Sequence, residues 1–304
     1  MTVAEVELPE PLESRSVLGV LAAHAVPGIE QVDPVTGTVR RFVTLAGRPV
    51  LLTLTLGAPP GRHGGPARVL IEVEPAARDE AVVLVRRWLD LDRDLGPVRA
   101  VLATDPVLAP LVAARPGLRV TGYPDGFEAA VLTVLGQQVS VAAARTFGAR
   151  LVQRYADPAP GAAPHPDRVA GNGEGPVLRC FPRPEALAGA EPEELRATLG
   201  VPAARARTVL ALARACAEGL RLDASGDPTD LRHRLLELPG IGPWTAEYLA
   251  LRAFGDADAF PATDLVLRRA LGRVTSAEAT RAAAAWSPYR AYAVVHLWAH
   301  AAYR

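Results

Sequence analysis

The chain is 304 residues long, 49% hydrophobic and 22% charged, enough to bury a large core and divide into two or three subdomains. All 33 basic residues are arginine and they balance 33 acidic ones, which excludes a broad basic field as the means of holding nucleic acid and any side-chain amine for Schiff-base chemistry. No apolar run nears the ~20 residues needed to cross a membrane, residues 1–11 lack a leader pattern, and Cys180 and Cys216 are too few for a zinc or iron–sulfur set. The expectation is a cytoplasmic protein with free thiols and neither metal nor cofactor.

Residues 14–25 read as a short amphipathic helix through Val17, Leu18, Val20 and Leu21. Residues 38–45, 49–56 and 67–73 alternate or run apolar with β-branched side chains and read as strands, with a Pro/Gly loop at 59–66. A helix over 78–89 closes an antiparallel sheet with helices on one face, in a unit spanning 1–115. From about Asp105 the pattern turns helical. Strong helices at 126–135 and 140–155 flank Gly136-Gln137-Gln138. Residues 157–176 are a Pro/Gly-rich surface loop expected to be mobile. Helices near 184–188, 192–198 and 202–218 complete a helical unit over 116–228. A last unit, 229–304, holds helices near 229–238, 244–254, 263–271, 277–285 and 288–302. The fold class is therefore α+β, a small antiparallel sheet with helices followed by a mostly α-helical core.

Within the last unit, Leu238-Pro239-Gly240-Ile241-Gly242-Pro243-Trp244-Thr245-Ala246 is the most informative segment. Pro-Gly-Ile-Gly is too tight and glycine-rich to continue a helix, yet helical periodicity flanks it on both sides, so it is a hairpin between helices. Its glycines allow close backbone approach, and the next helix starts with unpaired N–H groups, a phosphate site. Asp264 stands just before another helix. Thr263 and Asp264 are both good N-caps, whereas a carboxylate downstream of such a hairpin also suits charge stabilisation. The chain is only 5% aromatic, but Trp244, Tyr248, Trp286, Tyr289, Tyr292 and Trp298 all fall in the last quarter, and Trp244 and Tyr248 share a helix face. His296 and His300 have a metal-compatible i, i+4 spacing with no third ligand.

The hairpin and Phe260-Pro261-Ala262-Thr263-Asp264 resemble the helix-hairpin-helix plus Gly/Pro-Asp loop of DNA base-excision glycosylases. Leu21-Ala22-Ala23-His24-Ala25-Val26, Ala114-Arg115-Pro116-Gly117-Leu118-Arg119, Leu135-Gly136-Gln137-Gln138-Val139-Ser140-Val141 and Trp286-Ser287-Pro288-Tyr289-Arg290-Ala291-Tyr292 extend the likeness to the bacterial 3-methyladenine DNA glycosylase II (AlkA-type) branch. The resemblance implies two helical domains flanking a cleft, in a monomer with no obligate protein partner. It implies an enzyme that flips alkylated purines (3-methyladenine, 7-methylguanine) from double-stranded DNA and hydrolyses the N-glycosidic bond.

By the same resemblance, Asp264 is the catalytic carboxylate that supports the oxocarbenium ion and its water. Trp244, Tyr248 and Trp298 sandwich the base, and their ring faces attract a cationic purine. Gly240, Ile241, Gly242, Thr245 and Arg268 grip the DNA backbone, with Arg269 and Arg273 as further candidates; Gln138 is the wedge that fills the vacated stack. The carbonyls of Leu238 and Ile241 could hold a monovalent cation. Trp244 occupies the position of the lysine nucleophile in strand-nicking relatives, so no lyase step is expected. Two positions depart from the pattern: Gln138 replaces an apolar wedge, and Val20 replaces a residue that can be aromatic. Two alternatives stay open. The fold could act on a neutral lesion such as hypoxanthine or uracil, which needs hydrogen-bond donors the sequence does not identify. It could also be a non-catalytic DNA-binding module, which leaves the Asp264 loop and the clustered aromatics unexplained.

Overall fold

The computed structural model describes residues 1–57, 67–157 and 177–301; the 59–66 loop and all but Asp157 of the 157–176 loop lie outside the described residues. The N-terminal part comprises β1 (Thr2–Glu7), α1 (Ser14–His24), β2 (Glu30–Asp33), β3 (Thr38–Leu45), β4 (Arg48–Leu56), β5 (Arg68–Val73) and α2 (Arg78–Trp88). The strands form one antiparallel sheet in the order β1-β5-β4-β3-β2. Strict alternation puts Val50, Leu52, Leu54 and Leu56 of β4 on the same buried face as Val69, Ile71 and Val73 of β5. That face packs on Val17, Leu18 and Leu21 of α1 and on Leu84, Val85 and Trp88 of α2, each large apolar side chain contributing about 1.5–3 kcal/mol by burial. β1 and β2 were not anticipated. In β1 only Ala4 and Val6 are buried, alternating with the outward Val3, Glu5 and Glu7; β2 is four residues long with none fully buried.

The remaining helices are α3 (Leu95–Leu102), α4 (Ala109–Ala114), α5 (Gly126–Gly136), α6 (Val141–Tyr155), α7 (Pro184–Ala188), α8 (Pro192–Leu199), α9 (Ala203–Ala217), α10 (Pro228–Leu236), α11 (Pro243–Arg252), α12 (Leu265–Ala270), α13 (Ser276–Ala283) and α14 (Arg290–Ala301). Their starts follow the sequence: the side chains of Asp125, Ser140, Asp227, Asp264 and Thr275 each accept a first-turn amide, as N-caps do. α5 is buried nearly all round, with Ala129, Ala130, Val131, Val134 and Leu135 inaccessible. It is the central post of a single large core that takes in α3 and α4 and runs to Ala299. The apolar faces of α3 and α4, inside the 1–115 unit by sequence, thus pack with the helices, and the 116–228 and 229–304 segments share one core.

Two polar ties lock the sheet to the helices. On the buried face of β3, Arg41 bonds Glu30 (3.1 Å) and Glu128 of α5 (2.5 Å), and its guanidinium sits 5.7 Å from the Trp88 ring centroid. Removing one partner of such a buried pair strands a charge, at a cost of about 3–5 kcal/mol. Beyond α2, the Tyr292 hydroxyl of α14 donates to Asp90 (2.6 Å). Together these contacts hold α1 opposite α11 and α14, leaving a cleft between.

Candidate active site

α10, a tight turn and α11 form the anticipated helix-hairpin-helix. Ile241 is buried and its amide closes the turn onto the Leu238 carbonyl (3.2 Å), one of the carbonyls assigned to a cation by resemblance. Gly240 takes φ +82°, and a β-carbon there would collide with the Thr208 hydroxyl of α9; this position is glycine for conformation and for packing. Gly242 is the N-cap of α11 and faces open space, so the backbone at the free amides of the first turn is accessible to a ligand. Thr245 is buried, and its hydroxyl accepts Gln137 Nε2 (3.0 Å), which also donates to the Gly240 carbonyl (3.1 Å). The Thr245 hydroxyl thus serves to anchor Gln137, and its main-chain amide lies in the first turn of α11. Gln137 ties the α5–α6 turn to the hairpin, and Arg205 bonds the Gln137 carbonyl. On this braced turn Gln138 is exposed with φ +55°, a conformation seldom held by non-glycine residues.

α11 carries Trp244, Tyr248 and Arg252 at i, i+4 and i+8, one stripe along the cleft. The Trp244 and Tyr248 rings stack 5.1 Å apart at 25°, and Tyr248 meets Trp298 of α14 at 5.8 Å and 43°. These are direct ring contacts. Neither the Trp244–Tyr248 nor the Tyr248–Trp298 contact leaves room for a base between its two rings, and together they make a continuous aromatic surface along the cleft.

Asp264 lies at the foot of this wall, 9% exposed. Its Oδ1 accepts the Leu267 amide (2.8 Å) and Trp298 Nε1 (3.1 Å), and its Oδ2 accepts Trp244 Nε1 (3.0 Å). An ionised carboxylate has about four lone-pair sites, so three donors fix its orientation and leave one site for a group in the cleft.

The cleft, about 1020 Å³, is closed on the other side by Val20, Ala23 and His24 of α1 and by Leu132 and Gly136 of α5. At one end Arg252 sits 5.6 Å over the Tyr123 ring. His24 is held down to about 4 by burial and by the neighbouring Arg252 and Arg145, so its imidazole is neutral at ordinary pH. His24, Tyr123 and Arg252 were missed by sequence reasoning; only Arg252 left a signal, the i+8 continuation of the Trp244–Tyr248 stripe. Arg268 is partly buried with its Nε given to the Val274 carbonyl (2.8 Å), which closes the end of α12. It borders a shallow hollow with Leu265, Arg269 and Arg273. Trp286 is core, bonded to Asp105 (2.8 Å). His296 and His300 join no group of three metal-ligating side chains among the described residues.

A family model described as the HhH-GPD superfamily of base excision DNA repair proteins matches residues 131–286, and the AlkA N-terminal domain matches residues 5–125. The chain belongs to the HhH-GPD superfamily of base excision DNA repair proteins. Among HhH-GPD relatives, the DNA-3-methyladenine glycosylase 2 of Escherichia coli is 34% identical over 296 residues, covering 95% of this chain and 94% of that protein. A probable bifunctional transcriptional activator/DNA repair enzyme AlkA of Mycobacterium tuberculosis is 41% identical over 295 residues, 95% of this chain. The chain spans only 55% of the length of that relative. In fold, the 3-methyladenine DNA-glycosylase of Archaeoglobus fulgidus superposes with a TM-score of 0.79 at 22% identity, covering 98% of this chain and 97% of that one.

Proposed function

We propose that this HhH-GPD protein is a monofunctional DNA glycosylase that excises alkylated purines of the 3-methyladenine and 7-methylguanine type from double-stranded DNA. The observation that carries this reading is the Asp264 carboxylate, fixed by two indole N–H groups at the foot of an aromatic wall. An N-alkylated purine is cationic, and electron-rich ring faces attract it by up to ~2 kcal/mol when desolvated. It is also a good leaving group, so the protein needs little acid assistance. The cost falls on the sugar, which becomes oxocarbenium-like as the bond breaks. A preoriented carboxylate lowers that cost by Coulombic attraction and orients the attacking water.

The duplex is held without a basic field. The amides of Gly240, Gly242 and Thr245 meet a phosphate at the start of α11, on a turn that the Ile241 amide braces through the Leu238 carbonyl, with Arg268 and the exposed Arg269 beside α12. Gln138, on its braced turn, enters the gap left by the flipped base. With Trp244 at the head of α11 and no lysine in the chain, the product is an abasic site in an unbroken strand.

The test is incubation with methylated duplex DNA, followed by chromatography of released bases and borohydride trapping. Free 3-methyladenine and 7-methylguanine with no trapped adduct are expected. Tight abasic-DNA binding without base release would overturn the reading in favour of a docking module, and a trapped adduct would overturn its monofunctional part.

A further inference from the structure

We infer that Gln137 is a positioning residue that couples the Gln138 wedge to the hairpin's hold on the phosphate, so that wedge and grip meet the duplex in one fixed register. The inference rests on the glycosylase reading above, in which Gln138 fills the vacated stack and the hairpin amides meet the strand.

The wedge is held at its base and free at its tip. The Gln138 side chain is exposed and makes no hydrogen bond among the described residues, yet its backbone keeps φ +55°. A non-glycine residue stays in that region only where its surroundings impose it. Gln137 is the neighbour through which they do. Its amide bonds the Val134 carbonyl at the end of α5 (3.3 Å), and its carbonyl accepts Arg205 of α9. Its side-chain Nε2 donates to the Gly240 carbonyl (3.1 Å) and to the Thr245 hydroxyl (3.0 Å). On the far side of the turn, Ser140 caps α6 by accepting the Ala143 amide (3.2 Å).

The other end of this brace lies on the grip. A carbonyl only accepts, so the Gln137 NH2 group, not its oxygen, faces Gly240. Its two bonds straddle Gly242, the N-cap of α11 that faces open space. The hairpin keeps its own shape apart from Gln137, through the Ile241 amide on the Leu238 carbonyl (3.2 Å) and the close packing of Gly240 on Thr208. What Gln137 adds is therefore the placement of the wedge turn on the hairpin. A wedge on a loose turn would lose, in becoming ordered, part of what it gains by filling the gap; a wedge already bonded to the grip does not.

The experiment measures affinity for a duplex with one abasic site and for the same duplex undamaged, and takes the ratio. The undamaged duplex engages the grip, and the abasic site adds the gap that the wedge fills. Wild type, Gln137→Met, Gln138→Ala and the double variant are compared, with thermal melts alongside. Methionine matches glutamine in length but has no donor. Gln137→Asn, whose amide falls short of the hairpin, is the second variant should Gln137→Met not fold. The expected result is that Gln137→Met lowers the abasic preference about tenfold, the worth of one or two hydrogen bonds, with undamaged-duplex affinity and melting unchanged. The double variant should be no worse than Gln138→Ala, because Gln137 acts through the wedge. Losses that add in the double variant, an unchanged ratio in a folded Gln137 variant, or equal losses on both duplexes would each overturn the inference and leave the wedge and the glycosylase reading standing. Wild type without abasic preference, or Gln138→Ala that keeps it, would instead overturn the wedge reading itself, and this inference with it.

Discussion

Trp244 and Trp298 stand on different helices and point their indole N–H groups at opposite oxygens of one carboxylate, Oδ2 and Oδ1 of Asp264, at 3.0 and 3.1 Å. Two residues expected only as ring surfaces thus also orient the carboxylate. The cap at Leu267 uses one more lone pair, so serving as the N-cap of α12 and serving as a reactive carboxylate are compatible roles for Asp264. Because the same indoles form part of the aromatic wall, ring faces and carboxylate are placed relative to each other by shared side chains.

The first prediction separates the two duties of an indole. Trp244→Phe keeps a ring against Tyr248 but removes the donor to Oδ2. A hydrogen bond to a charged group is worth about 1.5–3 kcal/mol, so the single-turnover rate of base release should fall roughly tenfold to a hundredfold. Affinity for abasic DNA should hold. Loss of DNA affinity with an unchanged rate would mean that stacking alone is the duty of Trp244.

The hairpin glycines should part company. Gly240→Ala forces a β-carbon into Thr208 at φ +82° and should lower thermal stability by about 1–3 kcal/mol. Gly242→Ala, at φ −104° and facing open space, should leave the melting temperature unchanged yet weaken DNA binding by standing where the phosphate approaches. Thermal melts and abasic-DNA titrations of the two variants check this; identical behaviour would contradict the assigned roles.

Much of the fold and part of the site are legible in the sequence because they rest on local periodicity. The hairpin, the caps and the Trp244–Tyr248 pair are all encoded within a few residues of themselves. The Asp264 loop was legible through its likeness to a known family. What escaped was set by tertiary contact. Gln137 reaches Gly240 and Thr245 across more than one hundred positions, and nothing near it in sequence announces that. His24 ends an ordinary amphipathic helix and meets the cleft through tertiary packing, with Arg145 of α6 bonded to the Ala25 carbonyl beside it. That Tyr248 meets Trp298 as well as Trp244 is likewise a tertiary matter, a contact between α11 and α14 that spacing does not show. β1 was hidden by its outward glutamates.

Stability should fall on mild acidification. Burial first, then nearby arginines, hold both His24 and His296 down to about 4 from their ordinary 6.5. Between those values the unfolded chain binds protons that the folded chain does not, so stability is full above about pH 6.5 and declines as pH drops toward 4. Urea unfolding near pH 7 and near pH 5 should show a lower midpoint in acid, with uptake of about one proton per histidine. His296→Leu should flatten that dependence by about half; a midpoint indifferent to pH in the wild type would contradict the burial of both imidazoles as neutral groups.

The central claim is that the negative charge of Asp264 drives bond cleavage, and Asp264→Asn tests it most directly. Asparagine caps a helix about as well as aspartate, so the variant should fold and bind abasic DNA as the wild type does. Single-turnover release of 7-methylguanine should fall by about a hundredfold or more, the scale set by losing a preoriented electrostatic group. Near-normal release by a folded, DNA-binding Asp264→Asn protein would contradict the account.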